Sequence, residues 1–122
     1  MQPLDDIRVI DLSLTLPGPY ATSVLEQLGA DVVSVEPPNG DALREWAPSH
    51  PESRGEVFAM LQAEKTTVSL DLKDDRGREL LADMAADADV FVEGFRPGVV
   101  DALGVGPSTL RTRNPDLVYC SL

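Results

Sequence analysis

Apolar and polar positions alternate along the chain with two different periods. Ile7, Val9 and Ile10 form a short β-branched run closed by Asp11, and Val32, Val33 and Val35 form another that ends at Glu36. Runs of this kind read as buried strands. Between them Pro17-Gly18-Pro19 breaks the chain, and from Tyr20 onward Tyr20, Val24, Leu25 and Leu28 share one helical face, with Gly29 at the C′ position. Two strands joined by a helix predict a parallel βαβ unit with a right-handed crossover. Val57, Phe58, Met60 and Leu61 predict a helical turn, and residues 66–70 a third strand. Asp74 and Asp75 open a helix whose apolar face is Leu80, Leu81, Met84 and Ala85, the acids being well placed for the helix dipole. Gly77 sits inside that helix at a cost of up to ~1 kcal/mol relative to Ala. Val90, Phe91 and Val92 predict a fourth strand closed by Glu93, followed by short helices over 99–103 and 107–113 and a fifth strand over 117–121. The alternation predicts an α/β layered domain with a mainly parallel sheet and flanking helices.

Two features interrupt this regularity. Residues 37–55 hold Pro37, Pro38, Pro48 and Pro51 with Gly40, Gly55 and Trp46, and predict a long Pro-rich loop of the functional or mobile kind. The chain of 122 residues also stops one residue after its fifth strand. A parallel strand expects a crossover helix to cover it, so the simpler reading is an incomplete portion of a larger fold. The other is a small doubly wound domain with that strand at an edge.

Composition adds exclusions. With 10 Lys+Arg against 21 Asp+Glu the formal net charge is -11, which argues against a nucleic-acid or anionic-membrane surface. A few local cations can still hold an anionic ligand. One cysteine forms no internal disulfide, so a reducing, cytoplasmic compartment is expected. No apolar run approaches the ~18 residues of a membrane span.

Candidate chemistry is sparse. The loop after the first strand, residues 13–19, has a single glycine and is neither a dinucleotide fingerprint nor a phosphate-binding loop of the Walker type. His50 is the only histidine and stands in the Pro-rich loop, where an exposed side chain is expected rather than a metal ligand. Cys120 lies within an apolar strand and reads as a buried, inert thiol. Loops at the carboxyl ends of the strands remain, and open α/β sheets bind ligands there. Two of them carry a cation: Leu70-Asp71-Leu72-Lys73, and Gly94-Phe95-Arg96-Pro97-Gly98. Glycines let a backbone approach a ligand, an aromatic faces an apolar or purine surface, and an arginine forks onto phosphate. On spacing alone a plain turn with a solvated arginine is slightly favoured, which leaves Lys73 and Arg96 as the cations an anionic ligand would need.

The segments 3–12, 18–21, 28–33 and 35–38, followed by 69–73, 88–98 and 114–119, resemble in order and spacing the N-terminal part of the family III CoA-transferases. The same pattern belongs to their relatives, the α-methylacyl-CoA racemases. The resemblance implies a Rossmann-like large domain in which residues 1–122 are the N-terminal, coenzyme A-binding part. It implies that coenzyme A or acyl-CoA is a substrate, with no permanently bound cofactor, and that a small carboxylic acid is the other reactant. Transferases of this kind work through an acyl-aspartyl anhydride, racemases through a histidine and an acid at the α-carbon. A homodimer of interlocked chains, or a second chain supplying the rest, is the implied assembly. By the same resemblance Leu70, Asp71, Leu72 and Lys73 line the CoA site with Gly94, Phe95 and Arg96 beside them. Thr15, Leu16 and Pro17 correspond to the loop near the thioester.

Departures from the family pattern bear on that site. Pro37 stands where a family arginine contacts the nucleotide, and Ala102 replaces a second basic residue. Each loss is expected to weaken phosphate binding by ~1–3 kcal/mol. Arg44, from the long loop, is a candidate substitute. Gly94 is closer to the racemase form, whereas Glu36-Pro37-Pro38 is common among transferases. The catalytic groups of both subfamilies correspond to no residue of this chain, so no catalytic residue is assigned. A truncated chain that binds CoA without chemistry is a further alternative.

Overall fold

Among the described residues five strands and five α-helices follow one another as β1 (Arg8–Asp11), α1 (Pro17–Gln27), β2 (Asp31–Glu36), α2 (Glu56–Gln62), β3 (Thr66–Ser69), α3 (Asp75–Ala86), β4 (Val90–Glu93), α4 (Val99–Ala102), α5 (Pro107–Arg113) and β5 (Val118–Ser121). The structure is a computed structural model and describes residues 1–46 and 55–122. The strands form one sheet in the order β3-β2-β1-β4-β5, and every neighbouring pair is parallel. The order in which strands are added across the sheet reverses at β1, so the carboxyl ends of β1 and β4 flank a switch point, where doubly wound sheets take their ligands.

Successive side chains of a strand point to opposite faces, and the core divides accordingly. On one face Ile10, Val35 and Phe91 pack under Leu81 and Ala85 of α3, Val100 of α4 and Leu110 of α5. On the other, Val9, Val32 and Val92 meet Ala30 and the half-buried Leu25 of α1. Phe91 stacks on Tyr119 across β4 and β5, with ring centroids 5.3 Å apart.

Strand positions match the expectation to within a residue or so. Helix α1 does not. Pro17-Gly18-Pro19 is its first turn rather than a break, since Pro at the first helical positions has its φ preset and lacks only an N–H that would be orphaned there. Most of its expected apolar face is turned outward: Tyr20 is 60% exposed, and Val24 and Leu28 are exposed with it, while Leu25 alone of the four packs on the sheet. Gly18, Pro19, Thr22 and Ser23 are buried instead. A Cβ at Gly18 would lie 2.1 Å from that of Ser13, so only small residues allow α1 to approach the end of β1 this closely.

Within the 37–55 segment, Ala42–Glu45 form a 3₁₀ turn, with Leu43 fully buried. His50, Pro48 and Pro51 lie outside the described residues. Cys120 is half-buried on the edge strand β5, not enclosed as its apolar neighbours predict, because an edge strand has cover on one side only.

Candidate functional site

A cavity of about 520 Å³ opens above the α3–α5 face of the sheet, at the carboxyl ends of the strands. Its walls come from every loop that leaves β1 to β4. Leu12 and Leu14 follow β1, Glu36 to Asn39 close β2, Leu70 to Lys73 follow β3, and Phe95 follows β4. Leu103, just after α4, completes them. The lining is thus largely aliphatic and aromatic, with Glu36, Asn39, Asp71 and Lys73 as its polar members, the usual make-up of a small-molecule pocket.

Of the residues picked out from the sequence, Leu70, Asp71, Leu72, Lys73 and Phe95 come together in this one cavity. Gly94 and Arg96 flank Phe95 on the exposed side of the same turn, outside the lining. Thr15, Leu16 and Pro17 stand off it; their loop reaches the cavity through Leu14. Sequence reasoning missed Leu12, Leu14, Val35, Glu36, Pro38, Asn39 and Leu103 as wall residues. Their common signal is position, within a few residues of a strand or helix end on the carboxyl side.

Local rules explain how each wall is held. Asp71 folds its turn by accepting the backbone N–H of Lys73 on its own carboxylate at 2.9 Å. That turn lies against α3 at Gly77, where a Cβ would come within 2.1 Å of the Asp71 carbonyl oxygen. Arg78 reaches back to the Leu72 carbonyl at 2.7 Å. Glu93 does the equivalent after β4, accepting the Phe95 N–H at 2.8 Å. Asp74 caps α3 by accepting the Arg76 N–H at 2.9 Å.

Buried carboxylates surround the site. Asp11 is completely buried and accepts from the backbone and hydroxyl of Ser13 and the hydroxyl of Thr22. The Lys65 ammonium approaches it at 3.4 Å and donates to the Thr22 hydroxyl and the Pro19 carbonyl, both at 2.8 Å. Burial lowers the pKa of Lys65, while the Asp11 charge pulls it back up. This network ties β1, the start of α1 and the approach to β3 into one block.

Glu36 is held by a forked pair from Arg44, whose Nε and Nη2 lie 3.1 and 3.0 Å from its oxygens. The Arg44 guanidinium also sits 3.9 Å from the centre of the Phe58 ring. Arg44 is therefore engaged within the protein by Glu36 and Phe58. Lys73 and Arg96 are different: both are exposed, and among the described residues neither forms an ion pair.

One wall is strained. Thr15 has φ 68, the only positive φ outside glycine among the described residues. A β-branched residue pays heavily for this left-handed conformation, about 1–2 kcal/mol. Its N–H donates to both oxygens of Asp41, at 3.3 and 3.1 Å, and Asp41 is 3% exposed.

Among the described residues no group of His, Cys, Asp and Glu is arranged to hold a metal ion, and no helix is long and apolar enough to cross a membrane.

A five-stranded parallel sheet with flanking helices and a cavity at its strand ends defines a protein of the doubly wound α/β class. Comparison with known sequences narrows this. The sequence model of CoA-transferase family III matches residues 4–122, and the chain belongs to that family. It is 42% identical to the succinyl-CoA:mesaconate CoA-transferase of Haloarcula hispanica over 126 residues, which is 100% of this chain and 32% of that protein. It is 40% identical to the formyl-CoA:oxalate CoA-transferase of Streptomyces avermitilis, covering 98% of this chain and 29% of that one. The crystal structure of Rv3272 from Mycobacterium tuberculosis superposes with a TM-score of 0.91 at 39% identity, over 99% of this chain and 33% of that one. The chain thus spans about a third of the length of the relatives it matches.

Proposed function

We propose that residues 1–122 are the coenzyme A-binding part of a family III CoA-transferase, and that the 520 Å³ cavity takes the nucleotide end of CoA or an acyl-CoA. The observation that carries this reading is the pairing of a largely apolar cavity with uncommitted cations on the turns that follow β3 and β4. Leu70, Leu72 and Phe95 offer flat apolar surface to a purine ring. Lys73 and Arg96 stand on the two turns beside it, with the reach and charge that phosphates require. Gly94 leaves Arg96 on an open turn where a ligand can approach the backbone.

The reaction served is transfer of CoA between an acyl-CoA and a small carboxylic acid. The relatives compared above carry transferase names, which favours this over the racemase alternative. The role assigned to these residues is binding; the covalent step is given to none of them. The working unit is a homodimer or includes a second chain, and it is cytoplasmic, as the single cysteine predicts.

Calorimetric titration of the chain with CoA tests this. Saturable binding is expected, weakened in both Lys73→Ala and Arg96→Ala by about 1–3 kcal/mol, or roughly 5- to 150-fold. Absence of binding at millimolar CoA refutes the reading, as does binding that neither substitution alters.

A further inference from the structure

Asp41 has no obvious business being buried. It lies in the Pro-rich segment, one residue after Gly40, and its carboxylate is enclosed with no cation against it among the described residues. One of its contacts is ordinary: Oδ1 accepts the Leu43 N–H at 2.9 Å and so caps the 3₁₀ turn. That task uses a single oxygen. The other contact crosses to a different loop, where both oxygens face the Thr15 N–H.

Thr15 is the residue that needs such help. Where this chain turns through positive φ elsewhere among the described residues it uses glycine, at 29, 40, 55, 98 and 104. At 15 it uses a β-branched residue, so the conformation is imposed by contact rather than supplied by residue type. The Thr15 hydroxyl donates to the Leu14 carbonyl at 2.6 Å, fixing the neighbour whose side chain forms a wall of the cavity. On its other side the Asp41 segment continues to Arg44, which grips Glu36, itself a lining residue. The segment 40–44 thus joins the walls contributed by β1 and β2.

We propose that Asp41 is a positioning residue of this cavity: its carboxylate holds Thr15 in the left-handed conformation and thereby sets Leu14 against the ligand. The role rests on the reading of the cavity as a CoA site. It follows by linkage that a ligand which needs this wall in place tightens the Thr15–Asp41 contact when it binds.

A double-substitution cycle tests it, because glycine at 15 adopts the same φ without being held. Asp41→Ala is expected to weaken CoA binding about tenfold in the natural background but no more than about twofold beside Thr15→Gly. A residue that only caps the 3₁₀ turn would cost the same in both backgrounds, and equal losses overturn the proposal. Asp41→Asn, which keeps the shape and one neutral acceptor, serves if the alanine variant does not fold. It should speed hydrogen exchange at the Thr15 amide, and CoA should slow that exchange less than in the natural chain. Unchanged Thr15 exchange and unchanged affinity in Asp41→Asn overturn the role. Failure of the natural chain to bind CoA at all removes the functional reading and this role together, whereas normal binding with an additive cycle removes only the role of Asp41.

Discussion

Gly77 is the position where two physical rules disagree about the sign of a single substitution. In an isolated helix, Gly→Ala is stabilising by about 1 kcal/mol, through propensity and a less flexible unfolded chain. In this structure the added Cβ would lie 2.1 Å from the Asp71 carbonyl oxygen and 2.9 Å from its carbon, nearly 1 Å inside the closest approach that real side chains make. The carbonyl is poorly placed to swing aside. It accepts the Asp74 N–H at 3.2 Å, the Asp71 carboxylate anchors Lys73, and Arg78 is bonded to the Leu72 carbonyl. Overpacking against backbone costs about 1–3 kcal/mol, and a clash this deep belongs at the upper end. Subtracting the propensity gain leaves Gly77→Ala destabilised by about 1–2 kcal/mol, a fall in Tm of roughly 4–8 °C for a domain of this size. Thermal unfolding followed by circular dichroism measures it, with Glu79→Ala, on the exposed side of α3, as a near-neutral reference. CoA titration adds a second readout, since the relieved clash displaces the turn that carries Lys73. A Gly77→Ala variant with an unchanged or raised Tm would refute the reasoning, because the 71–73 turn could not then be seated on α3.

Lys65→Met should lose about 3–5 kcal/mol in urea unfolding, since it strands the fully buried Asp11 carboxylate with hydroxyl and amide partners alone; a loss under 1 kcal/mol would contradict the network. Tyr20→Ser should change stability by no more than about 0.5 kcal/mol, although the helical pattern puts Tyr20 on the apolar face, and a loss of core size would restore the sequence-based orientation of α1. The Tyr119 phenol is held above its ordinary pKa of 10 by burial and then by the charges of Glu93 and Asp101. The folded chain therefore keeps a proton that the unfolded chain releases, and stability is lost as pH climbs past about 10. Tyr119→Phe should flatten that decline in urea midpoints measured at pH 9 and 11, and identical slopes for the two proteins would count against the buried phenol.

Strands and helix order are legible in the sequence because burial on a parallel sheet demands unbroken β-branched runs, and nothing else in this chain competes for them. The orientation of α1 is not legible. Hydrophobic periodicity assumes that a helix buries its apolar stripe, yet α1 buries Gly18, Thr22 and Ser23 to approach Asp11 and Ser13 closely. The cations and Phe95 of the candidate site are readable from the rule that ligands sit at carboxyl ends of strands, sharpened by the family resemblance. Asp41 is invisible by the same means: a lone acid in a Pro-rich stretch reads as solvated, and threonine gives no hint of a left-handed backbone at 15.

Net charge illustrates why placement outweighs count. A formal charge of -11 argues against any polyanionic ligand if the acids act as a uniform cloud. Around the cavity they do not. Asp11 is balanced by Lys65 and Glu36 by Arg44, while Glu93 and Asp71 turn their oxygens toward backbone N–H groups of their own loops. Acids farther away are screened beyond about 8 Å at physiological ionic strength. On the CoA-binding reading proposed above, a phosphate at the cavity meets chiefly Lys73 and Arg96, two exposed cations that no carboxylate claims among the described residues. On that same reading, the non-basic Pro37 and Ala102 leave Lys73 and Arg96 a larger share of the contact. For the same reason, removing either should be felt more strongly here than in a relative that keeps all four cations.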